Sequence, residues 1–251
     1  MKNYSQISLK LTEFLASYLE KSGAKGFVLG VSGGLDSAVV AALCARTGFE
    51  THALLMPTKY SNERNLSDAL KLCKDLKITH KIIEIQPILD SFTAQIGESL
   101  SNLRIGNLSA RARMCLLYDY SAKINALVVG TSNKSERLLG YGTIYGDMAC
   151  ALNPIGELFK TEIYELAREL GIDEKIIAKA PSADLWEGQS DEVDIGYTYE
   201  RLDEVLRLTQ SKSEAELASE FDPKLVATVF SRMRANKFKL SLPSVASLDC
   251  E

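Results

Sequence analysis

The chain lacks the features that would place it in a specialised class. Its two histidines, His52 and His80, stand apart, too few for a zinc site or a catalytic dyad, and His52 reads as structural within an apolar strand. No Cys-x-x-Cys pair occurs among the five cysteines, Cys44, Cys73, Cys115, Cys150 and Cys250. Odd in number, scattered and mostly in apolar surroundings, they read as reduced core thiols, with Cys250 in a disordered end. No apolar run approaches the roughly 18 residues of a membrane span, and the N-terminus has no signal-peptide core. The expectation is a cytoplasmic protein with no membrane partner. Nor is there a basic excess, the net charge being -4, which argues against a nucleic-acid partner. What remains, 46% hydrophobic and 25% charged residues in 251, suits one large α/β domain over residues 1–251.

The most informative stretch is Gly30-Val31-Ser32-Gly33-Gly34-Leu35-Asp36-Ser37. An apolar run over residues 27–31 enters it and another over 38–43 leaves it, so it reads as strand, phosphate loop, helix. Adjacent glycines let several N–H groups turn toward one anion, and the helix adds the positive end of its dipole. An ordinary strand-to-helix turn with a Ser or Asp N-cap would explain Gly34, Asp36 and Ser37. It would not explain a hydroxyl on each side of the loop together with an exposed carboxylate suited to Mg²⁺. No Gly-Lys-Ser/Thr follows, and the three-glycine dinucleotide fingerprint is absent.

Apolar spacing predicts an amphipathic helix through Ile7, Leu11, Phe14, Leu15, Tyr18 and Leu19, ending near Gly23. After the loop, a helix from Ser37 to Gly48 and a strand over 51–56 stopped by Pro57 make a βαβ unit with a parallel pair. A helix through Leu66, Leu70 and Leu72 leads to a third strand over 79–85. Two helices over 88–100 and 108–124, parted by a polar turn around Asn102 and Gly106, precede a fourth strand over 126–130. Residues 140–149 read as a long ordered loop or lid, and 181–196, polar, acidic and Trp-containing, as a mobile surface loop. A helix from near Thr161 and helices from Thr198, Ser213 and Lys224 complete the chain.

The phosphate loop resembles that of the ATP pyrophosphatase family, whose members cleave ATP between the α and β phosphates. The segments 107–114, 129–136, 145–147, 156–161 and Pro181-Ser182-Ala183-Asp184-Leu185 follow one another as in NAD synthetases. This resemblance implies a parallel sheet flanked by helices, Rossmann-like and of the adenine nucleotide alpha hydrolase type. It implies ATP phosphates on residues 30–37 and Mg²⁺ on Asp36 and Glu136. Lys160 would reach the phosphates, Thr131 and Ser182 would contact ATP, and Arg111, Phe238 and Lys239 would contact deamido-NAD. On residue chemistry alone, Glu136 and Arg111 read first as solvated helix residues, and Thr131 reads as an N-cap, a role compatible with an ATP contact. Lys160, poorly placed for the dipole of a helix it begins, is better explained by an anion.

The implied reaction is attack of the deamido-NAD carboxylate on ATP, loss of pyrophosphate, and displacement of AMP by ammonia to give NAD. The family pattern implies a homodimer. Ile144 and Ala151 stand where ammonia-dependent members carry a Lys and an Asp, and residues 140–149 look more like the glutamine-dependent members. Free ammonia is nevertheless expected as donor, because little chain outside the core is available for a glutaminase domain.

Overall fold

The computed structural model describes every residue except 1, 183, 185–187, 247 and 249–251. Cys250, the Trp of the 181–196 segment, and Ala183 and Leu185 of the Pro-Ser-Ala-Asp-Leu motif thus lie outside the described residues. Chain order is α1 (Tyr4–Ser22), β1 (Gly26–Gly30), α2 (Leu35–Arg46), β2 (Glu50–Leu55), α3 (Glu63–Asp75), β3 (Thr79–Ile82), α4 (Gln86–Ile96), α5 (Asn102–Ile124) and β4 (Ala126–Val128). There follow α6 (Lys134–Leu139), α7 (Lys160–Leu170), α8 (Glu174–Ile177), α9 (Asp191–Ile195), α10 (Tyr199–Leu206), α11 (Glu214–Glu220), α12 (Pro223–Asn236) and a 3-10 turn, Lys237–Leu240. No described helix is long and apolar enough to cross a membrane.

The four strands form a parallel sheet in the order β3-β2-β1-β4. Alternation along the strands divides the core. Phe27, Leu29, Ala53 and Leu55 face α1, α2, α3, α7 and α8, whereas Val28, Leu54 and Val128 face α4 and α5. A third apolar cluster, around Tyr199, Leu202 and Val226, joins α10, α11 and α12 to α6. From β1 the chain winds outward through β2 and β3 and then returns to the other side of β1 as β4. The carboxyl ends of β1 and β4 therefore flank a topological switch point, where α/β sheets place their ligands.

Several sequence boundaries move for identifiable reasons. The proposed turn around Asn102 and Gly106 is helical: Ser101 caps α5 by accepting from the Arg104 N–H at 3.4 Å, and Gly106 is buried within it. In α1, Leu15 and Leu19 are buried but Phe14 and Tyr18 are exposed, so the buried face is narrower than the apolar spacing suggested. β3 stops at Ile82 as an edge strand, and β4 at Val128, beyond which Val129 makes only an isolated bridge to Leu152. Residues 190–196 contain the short helix α9, so the 181–196 segment is not wholly a loop.

Cys44 and Cys73 are buried, and burial raises both thiols, Cys73 to about 11. Cys115, in contrast, is exposed on α5. His52 is a structural residue, its Nε2 2.7 Å from Glu50 Oε1 and its Nδ1 3.3 Å from the Tyr120 hydroxyl.

Helix α7 is fastened at its start by Glu162, which accepts from the Phe159 N–H at 2.9 Å and pairs with Lys2 at 2.6 Å and Arg207 at 3.0 Å. Burial opposes its ionisation, but these partners outweigh burial and hold the carboxyl below its ordinary 4.5. Glu162→Gln should cost about 1–2 kcal/mol at pH 7, measured by urea unfolding. A depressed folded-state value stabilises above the unfolded one, so this penalty should fade as pH falls from 4.5 through the lower folded value.

Candidate active site

The loop after β1 is tied to the sheet by the Val31 N–H, which donates to Leu54 O at 3.1 Å. Its two hydroxyls close it internally. The Ser32 N–H donates to Ser37 Oγ at 3.2 Å, the Gly34 N–H to Ser32 Oγ at 3.2 Å, and Ser37 Oγ to Gly34 O at 3.0 Å. Gly34 is the N-cap of α2, and no side chain caps that helix. The ordinary Ser or Asp cap is therefore not what this sequence builds; the first-turn N–H groups and the dipole they carry face a cavity instead. That cavity measures about 780 Å³ and lies at the switch point, between the β1 and β4 loops, α5 and the 179–194 segment. Gly30, Val31, Ser32, Gly34, Leu35, Asp36 and Ser37 all border it. Gly33 faces the other way: its φ is +82°, and a Cβ there would lie 2.0 Å from the Asn65 carbonyl oxygen, so only glycine fits.

Three helix starts converge at the cavity floor. Asp36 lies in the first turn of α2, Glu136 is the third residue of α6, and Lys160 is the first residue of α7. The Lys160 ammonium, its side chain 4% exposed, contacts Asp36 Oδ2 and lies 3.8 Å from Glu136 Oε1. Asn133, fully buried, sets the geometry. It caps α6 reciprocally with Glu136, and its Nδ2 donates to Asp36 Oδ1 at 3.0 Å. Asp36 is thus not on an exposed loop, and Glu136 is not solvated. Burial, then the neighbouring Asp36 charge, push the Glu136 carboxyl well above its ordinary value. Burial alone would lower Lys160, but Asp36 and Glu136 more than offset it and hold the ammonium above its ordinary value. Two carboxyl groups and one ammonium thus share the floor, with oxygens converging on a cationic centre. That donor set suits a hard divalent cation, which takes one or two carboxylates alongside phosphate oxygens.

The other sequence candidates separate. Thr131 borders the cavity, but Asn133 and not Thr131 caps the following helix. Ser182 also borders it, its hydroxyl donating to Gln189 O at 2.8 Å and accepting from the Asp184 N–H at 3.1 Å. Lys239 reaches in from the 3-10 turn, donating to Gly140 O at 2.8 Å and Gly142 O at 2.9 Å. Its neighbour Phe238 does not border the cavity and is 61% exposed. Arg111 is half-buried outside the cavity wall, its guanidinium 3.4 Å from Ile144 O.

Sequence reasoning missed others. Arg113, two positions after Arg111, borders the cavity with Nε donating to Met56 O at 3.1 Å, and burial lowers its pKa. Lys179 donates to Gly33 O at 2.9 Å and Asn65 Oδ1 at 2.8 Å and pairs with Asp68 at 2.6 Å. Asp184 Oδ2 accepts from the Asn62 N–H and from Asn65 Nδ2, both at 3.1 Å. Arg113 and Asp184 stood inside recognised segments, while only proximity to Pro181 marked Lys179.

Comparison with known proteins finds relatives of nearly the whole chain. The NAD synthase family description matches residues 7–243. An NH3-dependent NAD+ synthetase of Campylobacter jejuni is 53% identical over 247 residues, covering 98% of this chain and all of the relative. One of Helicobacter pylori is 49% identical over 253 residues, covering 98% and 97%. The solved C. jejuni NH3-dependent NAD synthetase superimposes with a TM-score of 0.85 at 46% identity, covering 98% of this chain and 100% of that one. An NMN synthetase from Francisella tularensis gives 0.91 at 34%, covering 99% and 100%. A glutamine-dependent NAD+ synthetase from Acinetobacter baumannii gives 0.70 at 29%, this chain spanning 47% of it. A match to this family over nearly the whole sequence, to relatives about half identical, identifies the chain as a member of the NAD synthase family of enzymes.

Proposed function

We propose that this enzyme works in the cytoplasm, amidating the nicotinate carboxylate of deamido-NAD with ammonia at the expense of ATP to give NAD, AMP and pyrophosphate. One observation carries the reading: an uncapped helix start and a Lys160–Asp36–Glu136 cluster face a single cavity at the switch point. ATP phosphates take the uncapped first-turn N–H groups of α2, at Leu35, Asp36 and Ser37, where the helix dipole favours negative charge. A divalent cation such as Mg²⁺, held by Asp36 and Glu136, would supply positive charge to the phosphate oxygens. Lys160 adds a second positive charge as the bond between the α and β phosphorus groups breaks. The substrate carboxylate attacks the α phosphorus to give an acyl adenylate, and ammonia then displaces AMP. No protein nucleophile is needed, so the protein contributes position and electrostatics. In this reading Thr131 and Ser182, on the cavity wall, would meet ATP. Lys239 would meet deamido-NAD, and Arg111, just outside the wall, the part of that substrate that extends beyond it.

The likeness to an NMN synthetase favours a second reading, in which the acid substrate is the mononucleotide. Purified enzyme with ATP, Mg²⁺ and ammonium should release pyrophosphate faster with deamido-NAD than with nicotinate mononucleotide. The reverse order would transfer the assignment to the smaller substrate. Glutamine at equal concentration should support little turnover with this chain alone. Efficient use of glutamine would make the resemblance of residues 140–149 to glutamine-dependent members the better guide.

Asp36→Asn should reduce kcat on the order of a hundredfold or more and, by leaving buried Lys160 with Glu136 alone, lower stability by about 1–3 kcal/mol. Glu136→Gln should also reduce kcat, and the double variant should lose less than the product of the two. Multiplicative losses would separate their roles.

We also propose a homodimer, supported by the exposure of Phe92 and Ile96 on α4 and of Leu103 and Tyr118 on α5. Light scattering at assay concentration should give twice the chain mass. A fully active monomer would refute the dimer.

A further inference from the structure

Asp203 lies on α10, does not border the cavity, and is 1% exposed. A carboxylate buried so deeply needs a reason, because an apolar residue would pack there without the cost of desolvating a charge. Its hydrogen bonds supply one. It accepts from the Ser135 hydroxyl and, through Oδ2, from both the Thr161 N–H and the Thr161 hydroxyl at 2.9 Å. Ser135 Oγ in turn accepts from the Lys160 N–H at 2.9 Å.

These bonds account for the start of α7. Phe159, its N-cap, has no polar side chain, so the first N–H groups need acceptors from elsewhere. The Lys160 N–H takes Ser135 Oγ, the Thr161 N–H takes Asp203, and the Glu162 N–H takes Phe159 O at 2.9 Å. Ser135 precedes Glu136 on α6, and Thr161 follows Lys160 on α7. One carboxylate, delivered by a third helix, therefore holds the backbone beside two of the three charged groups on the cavity floor. Arg207, also from the α10 end, donates to Thr161 Oγ1 at 3.1 Å and to Glu162 at 3.0 Å, fixing the same turn from outside.

We propose that Asp203 is a positioning residue for the reaction. Through Ser135 and Thr161 it sets the separation of Glu136 and Lys160, and so aims the Lys160 ammonium at the phosphates. The inference rests on the function proposed above. An ordinary structural role, α10 merely capping α7, would make stability depend on Asp203 but would not make its effect on rate depend on Lys160.

The test is a double-variant cycle of Asp203→Asn and Lys160→Met, reading kcat and KM for pyrophosphate release together with ATP affinity by calorimetry. Asp203→Asn should lower kcat about tenfold or more while KM for the acid substrate changes by less than about twofold. In the Lys160→Met background it should lower kcat by no more than about threefold. An unchanged kcat, or a loss carried in full into the Lys160→Met background, would overturn the proposal. Should Asp203→Asn not fold, Thr161→Ser and Thr161→Val replace it. The serine, which keeps the hydroxyl, should retain most of the rate and the valine lose it; equal rates would overturn the proposal. A wild-type chain that releases no pyrophosphate with either acid substrate would count against the proposed function alone. The cycle then stands on ATP affinity, where additive losses would overturn the positioning role.

Discussion

A buried ammonium is the constraint on which the rest of this site depends. Lys160 begins a helix whose dipole repels it and lies almost wholly out of water. Left alone it would surrender its proton or pull the helix start apart. The fold keeps it charged by bringing Asp36 and Glu136 to it from two other helix starts, and Asn133 holds both of those carboxylates. The arrangement is possible because β1 and β4 are neighbours in the sheet although nearly a hundred residues separate them in sequence. Each sends its following loop to the same place. The charges are therefore not merely near one another; each is the condition for the others' burial.

That interdependence explains what could be read in the sequence and what could not. The phosphate loop was legible because Gly-Gly, two hydroxyls and a carboxylate fall within a few residues. Asp36 was found but misplaced onto an exposed loop, because its burial comes from α6 and α7 and not from its neighbours in the chain. Glu136 read by itself as a solvated residue for the same reason. Asn133 stood inside a recognised segment without a role of its own, and Asp203 left no signal: they work through contacts made across 97 and 68 residues. Arg111 and Arg113, two positions apart on α5, could not be ranked from spacing, since only the docking of α5 against β1 and β4 decides which guanidinium enters the cavity.

The strands and most helices were legible for a simpler reason. Alternation in β1 and β2 and the all-round apolar character of α2 are local patterns imposed by a sheet buried on both faces. Boundaries failed where a single local bond outweighed the pattern, as when Ser101 carries α5 back through a glycine expected to break it. The relatives share this framework whether they are named for ammonia, for glutamine or for NMN.

Residues 140–149 carry a consequence of their own. Gly140 adopts φ +62° against the Cβ of Asn236, and Lys239 clasps the carbonyls of Gly140 and Gly142. The wall of the site is thus fastened by the 3-10 turn at Lys237–Leu240, 99 residues after the loop it secures. On the ribosome the sheet and the phosphate loop can take shape while α12 is still unmade. The cavity wall cannot be secured until Lys239 has left the exit tunnel, so a nascent chain that has made only the sheet and the phosphate loop presents no finished pocket to the nucleotides around it.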